Sequence, residues 1–291
     1  MKIDELIEQS SRALFSIELW PPRTVTSEKK LAEALELFST VEIDFASITY
    51  GAGGSTRDNT HELVLKLDRQ FNLNPVAHLV TASHSEDELR SILGRYRDNG
   101  IENLLALRGD PPIDGAGHFE VGEFTRALQL VELAKEEFSL CVGVAAHPEG
   151  HPDSMSLDDD RRHLAEKLKV ADFAITQFFY RVDDYLKLID DLEKLGVSKP
   201  VIPGVMAPTA FSTLQKMAQL SGTEIPRDIV DRLAPYEASP DDFKKAGTEV
   251  AVELCLALLD EGVPGVHIFT MNQASTTLEI FDSVKGNLNR R

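Results

Sequence analysis

The sequence has little cysteine and no long apolar run. Only Cys141 and Cys255 occur among its 291 residues, and each lies in an apolar stretch typical of a protein core. A disulfide framework is therefore excluded, and a metal site built on cysteine is not expected. No stretch approaches the roughly 20 apolar residues that span a bilayer. The first residues carry acidic groups and no continuous apolar segment, which argues against a signal peptide, so we expect a cytoplasmic location.

Positive charge is also scarce. Thirty lysine and arginine residues stand against 48 aspartate and glutamate residues, for a net charge of −18. Such an acidic surface repels nucleic acid and anionic lipid, so neither is expected as a partner. It does not exclude an anionic ligand in a locally basic pocket. The 42% of hydrophobic residues suffices for a large core, which excludes disorder for most of the chain.

Short apolar runs rich in β-branched residues alternate with longer segments of helical period. Eight strands are predicted, at residues 13–19, 44–50, 75–81, 103–109, 140–146, 172–178, 200–206 and 265–270. Such alternation is typical of parallel strands joined by right-handed crossovers. Eight units in about 280 residues favour an α/β fold of the (β/α)₈ TIM-barrel type over a doubly wound sheet. A doubly wound sheet usually carries a Gly-x-Gly-x-x-Gly motif after its first strand, which is missing here.

Helix starts and one long connection can also be located. Ser27 and Ser85 each precede an amphipathic stretch and are predicted as helix N-caps. The connection between the seventh and eighth strands, residues 211–262, is predicted to hold an extra helix around 226–235. Because no linker interrupts the chain, residues 1–291 are predicted to form one catalytic barrel domain.

Polar residues end seven of the eight predicted strands. They are Glu18, Thr49 with Tyr50, His78 with Thr81, Arg108 with Asp110, His147 with His151, Gln177, and Thr270. The C-terminal strand ends form the active site in barrels of this type, so these residues are expected to converge. A convergent polar site favours an enzyme.

Glu18 is the strongest catalytic candidate. It follows an apolar strand and precedes Trp20-Pro-Pro, so we expect partial dehydration, which raises a carboxyl pKa and suits a general acid. The structural alternative is an ion pair with Arg108. Asp110 either accepts hydrogen bonds from a ligand or caps its turn.

Two further candidates have structural alternatives of their own. A histidine on an apolar strand, such as His78, is more often a hydrogen-bonded core residue than a ligand. Gln177 suits amide-like recognition of a heterocycle, and its alternative is a buried tie between strands.

Two segments match ligand-binding motifs only weakly. Residues 51–57 form a glycine-rich loop that could hold a phosphate or a flat ring, but they match neither the P-loop nor the dinucleotide fingerprint. His147 and His151 have the spacing of zinc ligands on a helix, yet Pro148 and Gly150 forbid a regular helix there. No metal site is therefore predicted.

Several short motifs follow one another along the chain. They are Phe15-Ser-Ile-Glu18-Leu-Trp-Pro-Pro22, Thr49-Tyr-Gly-Ala-Gly-Gly54, Ala77-His78-Leu, Leu105-Ala-Leu-Arg108-Gly-Asp110-Pro-Pro, His147-Pro-Glu-Gly-His151-Pro, Ala174-Ile-Thr-Gln177-Phe-Phe, Ile202-Pro-Gly204 and His267-Ile-Phe-Thr270. Together and in this order they resemble the methylenetetrahydrofolate reductase family, in which the first motif is similar to a Phe-Glu-Phe-Phe-Pro-Pro opening. The resemblance covers about residues 13–285, and the length is that of the bacterial catalytic barrel, without the eukaryotic regulatory domain.

The resemblance implies a reaction. FAD is held non-covalently at the strand ends, NAD(P)H reduces it and leaves, and 5,10-methylenetetrahydrofolate then binds there and is reduced to 5-methyltetrahydrofolate. This step belongs to one-carbon metabolism and methionine biosynthesis. Glu18 is implied as the general acid that assists opening of the folate ring. Asp110 is implied as a catalytic residue near flavin and pterin, and Gln177 as a contact to the pterin or the nicotinamide.

The resemblance also implies binding residues. The residues similar to flavin ligands are Thr49, Tyr50, Ala52, His78, Arg108, Gly109, Asp110, His147, His151, Asp160 and Lys167. Arg108 and Lys167 are expected to meet the pyrophosphate, which explains how an anion binds to so acidic a protein. Substrate contacts are expected from Gln177, Asp110, Thr213 and Gln273. A homo-oligomer is expected.

The chain departs from the family pattern in places. His147 stands where a flavin-contacting tyrosine is common, and Val121-Gly122 where Tyr-Ala is common. On the folate side, Ala210-Phe-Ser-Thr213 replaces a common Asn-Phe-Lys-Gln. Gln273 replaces a common arginine that would meet the glutamate tail of the folate.

These departures leave alternatives open. One is a flavin-independent reductase of the same fold, acting on methylenetetrahydrofolate or a related C1-pterin. A second is a non-catalytic barrel subunit, against which the intact Glu18, Asp110 and Gln177 argue. A metal hydrolase is the third and has the least support.

Overall fold

The chain, studied as a computed structural model, is described over residues 1–50, 57–71, 73–109 and 122–290, with the backbone alone at 57–59 and 290. Two predicted site residues, Ala52 and Asp110, lie outside these ranges, as do Val121 and residues 51–56 of the glycine-rich loop. Their assignments stay predictions.

Eight parallel strands close into a barrel in sequence order, which confirms the predicted fold class. The strands are β1 (Leu14–Leu19), β2 (Phe45–Ile48), β3 (Pro75–Val80), β4 (Asn103–Leu107), β5 (Cys141–Ala146), β6 (Phe173–Phe178), β7 (Val201–Val205) and β8 (Gly265–Phe269). Every predicted strand is confirmed, with ends that differ by at most two residues. Nearly all their residues are buried, as expected for parallel strands covered on both faces.

Helices surround the barrel. Within the described ranges they are α1 (Ile3–Gln9), α2 (Val25–Phe38), α3 (Arg57–Phe71), α4 (Glu86–Asp98), α5 (Ala127–Phe138), α6 (Leu157–Val170), α7 (Val182–Lys194), α8 (Phe211–Ser221), α9 (Arg227–Leu233), α10 (Pro240–Asp260) and α11 (Ala274–Val284). None of these helices is long and apolar enough to cross a membrane.

The connection between β7 and β8 holds α8 and α9 in addition to α10, the helix that the barrel repeat requires. The predicted extra helix is confirmed as α9, but a second one, α8, was not predicted. Its N-cap, Ala210, makes no side-chain capping bond, so the usual start signal is absent.

The two predicted N-caps have different outcomes. Ser85 is confirmed, because its hydroxyl accepts from the Glu88 amide at 3.2 Å and the Glu88 carboxylate accepts from the Ser85 amide at 2.9 Å. The Ser27 prediction is wrong. Thr24 is the N-cap of α2, and Ser27 is the third helical residue of a reciprocal capping box in which its amide donates to Thr24 Oγ1 at 3.1 Å.

The interior of the barrel is layered because side chains alternate along each strand. At its N-terminal end an apolar cluster that includes Leu14, Phe45 and Phe173 packs against Ile3 and Ile7 of α1. α1 therefore closes this end. Above the cluster the interior becomes polar, and it opens at the C-terminal ends of the strands.

Candidate functional site

A cavity of about 880 Å³ opens at the C-terminal ends of the strands. It extends from the barrel interior toward the starts of α5 and α6, where Thr125–Leu128 and Asp159–Asp160 line it. Pockets that bind small molecules and cofactors range from about 300 to 1,000 Å³, so this cavity is near the upper end.

The inner wall of the cavity is the top interior layer of the barrel. It includes Glu18 of β1, His78 of β3, Gln177 of β6, and His267 with Phe269 of β8. Glu18 lies on the same face of β1 as Leu14, four residues earlier. Because this face points into the barrel, β1 presents a carboxyl group to the interior although all its residues are buried.

Glu18 is 9% exposed and has two close neighbours. The indole Nε1 of Trp20 donates to its Oε1 at 3.2 Å, and His78 Nε2 lies 3.8 Å from its Oε2. Burial raises the pKa of Glu18 to about 7, and the bond from Trp20 opposes this rise. The dehydration expected from the sequence is thus present, and the carboxyl group can hold a proton at neutral pH; its role as a general acid stays a prediction.

The structural alternative for Glu18, an ion pair with Arg108, is wrong. The Arg108 guanidinium donates to Asp153 Oδ2 at 2.8 Å and holds the pKa of that carboxyl below its usual range. Arg108 lines the cavity with its side chain 43% exposed, so a positive charge faces this space from the end of β4.

Two neutral histidines lie beneath and beside Glu18. Burial lowers the pKa of both His78 and His267 to about 3. His267 is held on both sides, since its Nδ1 lies 2.9 Å from Ser16 Oγ and its Nε2 3.2 Å from Ser47 Oγ. His78 differs, because its buried Nε2 has no hydrogen-bond partner among the described residues. His78 is thus buried at the cavity wall, with a polar atom that no described residue satisfies.

Gly109 follows Arg108 in a conformation that favours glycine. Its φ is +86°, and a Cβ added there would lie 3.0 Å from the Ala82 Cβ and 3.1 Å from the Val80 Cβ. The backbone can therefore turn closely at the end of β4, at a point that lines the cavity.

The far wall of the cavity carries Lys167 and Asp160 of α6. Lys167 Nζ donates to the Ala145 carbonyl at 3.0 Å; burial lowers its pKa, and Asp160 partly offsets this effect. Asp160 also accepts from Arg161 Nη1 at 3.0 Å. The bond to the Ala145 carbonyl of β5 therefore fixes the Lys167 ammonium group beside the cavity.

The segment after β5 completes this wall. The rings of His147 and His151 pack edge to face with centroids 4.7 Å apart, and both line the cavity. His151 Nδ1 accepts from the Asp153 amide at 3.1 Å, which fixes one edge of the ring.

Gln177 lies half-buried on the inner wall. Its Oε1 accepts from the Phe178 amide at 2.9 Å, which fixes the amide plane at the cavity surface. Glu18, His78, Arg108, Gly109, His147, His151, Asp160, Lys167 and Gln177 are thus brought together around one space.

Four predicted site residues are described but do not line this cavity: Thr49, Tyr50, Thr213 and Gln273. The Thr49 amide donates to the Leu19 carbonyl at 3.0 Å, and Tyr50 Oη lies 3.0 Å from His84 Nε2. Thr213 lies in the first turn of α8, and Gln273 is the N-cap residue of α11. Their predicted binding roles are not tested by this arrangement.

The sequence predicted no role for His267, Trp20 or Asp153. His267 could have been found from the two-residue alternation of β8, which places it on the interior face. The bonds of Trp20 to Glu18 and of Asp153 to Arg108 depend on loop conformations, for which the sequence carries no signal.

Within the described ranges one group of three side chains could hold a metal ion, namely Asp4, Cys141 and Asp172. It lies at the opposite, N-terminal end of the barrel. Lys135 Nζ is 2.5 Å from Asp172 Oδ1, so an ammonium group already balances this carboxylate.

Comparisons with known proteins agree with one another. The profile of the family named methylenetetrahydrofolate reductase matches residues 2–285. A 5,10-methylenetetrahydrofolate reductase of Pectobacterium carotovorum subsp. carotovorum is 33% identical over 94% of this chain and 91% of that protein. Methylenetetrahydrofolate reductase (NADH) 1 of Arabidopsis thaliana is 32% identical over 96% of this chain, which spans 49% of the plant protein. A Clostridium thermocellum protein solved with two copies of 5-methyl-5,6,7,8-tetrahydrofolic acid shares the fold, with a TM-score of 0.66 at 18% identity over 99% of this chain and 98% of that one.

Proposed function

Because the chain belongs to the methylenetetrahydrofolate reductase family, we propose that it reduces 5,10-methylenetetrahydrofolate to 5-methyltetrahydrofolate, with NAD(P)H as the source of hydride and FAD as its bound carrier. The observation that carries this proposal is Glu18. A buried carboxyl group with a pKa of about 7 faces a large cavity at the catalytic end of the barrel. Such a group is suited to proton donation at neutral pH.

The side chains around the cavity fit FAD. Its pyrophosphate is anionic, and Arg108 and Lys167 supply positive charge to the walls. The turn at Gly109 allows close approach to the backbone, and His78 Nε2 is a buried polar atom that lacks a partner among the described residues. We propose that these residues hold the cofactor, together with His147, His151 and Asp160. When bound, FAD supplies the site that accepts and passes on the hydride.

The protein's own groups have separate tasks in this proposal. Glu18 donates its proton to the folate nitrogen that leaves the methylene carbon when the five-membered ring opens. This gives an iminium group, which is the acceptor of hydride. Gln177, with its amide plane fixed, hydrogen-bonds the flat heterocycle and orients it over the inner wall. Burial of Glu18 keeps water away from the carboxyl group before transfer.

A flavin-independent reductase of the same fold is the second candidate. The observation that favours it is His147, whose ring packs on His151 at the position where the family pattern has a flavin-contacting tyrosine. The two candidates differ in a visible absorption spectrum of the purified protein. A flavin spectrum that bleaches with NADH and returns with methylenetetrahydrofolate supports the first; a colourless protein that FAD cannot colour, yet is active, supports the second.

The decisive variant for the proposed chemistry is Glu18→Gln. We expect the folate half-reaction to fall by about 10²- to 10⁴-fold, the usual contribution of a general acid, while reduction by NADH persists. Anaerobic stopped-flow measurements separate the two half-reactions.

The matched control is Glu149→Gln. The pKa of Glu149 is also raised to about 7, but this side chain accepts from the Glu224 amide and does not line the cavity, so both half-reactions should be kept. Equal loss of both half-reactions in Glu18→Gln would contradict the role of Glu18.

A further inference from the structure

Trp20 is the single tryptophan of the chain and is in direct contact with Glu18. It lies just beyond the end of β1, and the residue remains 37% exposed. Its indole Nε1 donates to Glu18 Oε1 at 3.2 Å. An indole N–H can only donate, so this bond defines which carboxyl oxygen acts as the acceptor.

The loop after β8 holds Trp20 in place. Asn272 Oδ1 accepts from the Trp20 amide and Asn272 Nδ2 donates to the Trp20 carbonyl, both at 2.9 Å. Asn272 and the preceding Met271 have φ values of +57° and +48°. Two successive non-glycine residues in this region are strained, and such strain persists only where surrounding contacts impose it.

A third residue of the same loop connects it to Glu18. Thr270 Oγ1 donates to the Glu18 carbonyl at 2.7 Å and accepts from the Asn272 amide at 2.9 Å. The loop therefore holds the backbone of Glu18 through Thr270 and the backbone of Trp20 through Asn272. These contacts fix the backbone from which both the indole and the carboxyl group extend.

We propose that Trp20, held by Asn272, is a positioning residue that turns the Glu18 carboxyl group so that its acidic proton is carried on Oε2. This inference rests on the proposed function, in which Glu18 is the proton donor. In a protonated carboxyl group the carbonyl oxygen is the better acceptor, so a donor at Oε1 leaves the hydroxyl on Oε2. Oε2 is the oxygen nearer His78, on the wall of the cavity.

The proposal has a consequence for proton affinity. An N–H donor stabilises the carboxylate more than the acid, so Trp20 opposes the effect of burial. The other titratable groups of the described inner wall are His78 and His267, which remain neutral over the pH range in which Glu18 titrates. Glu18 is therefore the group whose charge changes beside the indole near neutral pH.

The first test uses tryptophan fluorescence of the full chain as purified, followed from pH 5 to pH 9. Because Trp20 is the single tryptophan, its emission should change with a midpoint near the Glu18 pKa of about 7. The change should be lost in Glu18→Gln. It should be kept in Glu149→Gln, because Glu149 has a similar pKa but lies away from Trp20. A flat titration, or one that survives Glu18→Gln, overturns the proposal.

The second test uses Trp20→Phe, which keeps an aromatic ring and matches the family motif at this position. Without the donor the pKa of Glu18 rises further, so the alkaline limit of the folate half-reaction should move up by about one pH unit. Its plateau rate should fall by about tenfold as the carboxyl group loses its orientation. Reduction by NADH should not change.

Asn272→Gly is the matching variant for the loop, since glycine accepts the positive φ and removes only the side-chain bonds. It should move the same alkaline limit in the same direction. An alkaline limit identical to that of the wild type in Trp20→Phe refutes the proposal. If Glu18→Gln reduces methylenetetrahydrofolate at the wild-type rate, the role of Glu18 as proton donor fails instead, and the fluorescence titration still reports on the bond itself. If the wild-type protein does not reduce methylenetetrahydrofolate at all, the proposed function fails.

Discussion

At the scale of single residues, Glu18 shows a conflict between stability and chemistry. Burial raises its pKa from 4.5 to about 7, so the folded chain holds a proton that the unfolded chain releases at lower pH. A raised carboxyl pKa contributes stability below the unfolded value, and this contribution is lost as pH rises through the folded value. The feature that makes Glu18 a proton donor therefore weakens the fold at alkaline pH.

Glu18→Gln should remove this pH-dependent penalty. At pH 8 we expect the variant to be more stable than the wild type by roughly 3 kcal/mol, which corresponds to the shift from 4.5 to about 7. Near pH 4 the two proteins should be about equally stable, because glutamine resembles the protonated acid. Urea unfolding at both pH values measures the difference, and a difference that does not depend on pH would contradict the raised pKa.

The residue scale also shows where sequence reasoning ends. The dehydration of Glu18 followed from an apolar strand and the motif after it, both of which are local. The partner of Arg108 did not, because Asp153 is 45 residues away and reaches it only through the conformation of the loop after β5. Asp110 was predicted from its motif and remains a prediction, since it lies outside the described ranges.

At the scale of elements, the strands were predictable because each is a short apolar run between longer segments of helical period. α8 was not, because Ala210 provides no side-chain cap at its start. The start of α2 was placed three residues late, since Thr24 and Ser27 both belong to the capping box and either could begin a helix by pattern alone. Local signals thus define which elements exist better than where they begin.

The short helix α1 depends on the barrel for its start. Its N-cap residue, Lys2, makes no side-chain capping bond, and the Ile3 amide donates instead to Asn103 Oδ1 of β4 at 3.0 Å. Asn103 is 1% exposed, so this bond is shielded from water. A residue distant in sequence therefore caps the helix that closes the barrel.

Asn103→Ala should leave the Ile3 amide without its partner and destabilise the fold by about 1–3 kcal/mol. Compared with the wild type, hydrogen exchange in the variant should become faster in α1, and by more than it does in the strands. Asn74→Ala is the comparison variant, because it removes the bonds of Asn74 to Asn103 Nδ2 and to the Met1 carbonyl but leaves the bond from the Ile3 amide in place. Unchanged protection of α1 in Asn103→Ala would show that apolar packing alone docks the helix.

At the scale of the whole molecule, the net charge of −18 opposes the anionic ligands that the proposed function requires. The cavity walls carry Arg108 and Lys167, but Asp153 and Asp160 line them as well, so positive charge is confined to single side chains. The two effects have different ranges: the field of the whole surface acts over the Debye length, about 30 Å at 0.01 M salt and 8 Å at 0.15 M, whereas contacts inside the cavity are screened much less. Salt should therefore weaken the long-range repulsion first.

This difference predicts an unusual salt response for NADH, which is an anion. We expect kcat/KM for NADH to rise severalfold between about 0.01 M and 0.15 M NaCl, because screening of the acidic surface speeds the encounter. At higher salt the value should level off, because the Debye length is then too short for the acidic surface to act on an approaching ligand. Potassium acetate is the control for specific chloride binding and should give the same curve. A steady fall from the lowest salt would mean that the basic groups of the cavity already dominate the field that an approaching ligand meets, in spite of the net charge of −18.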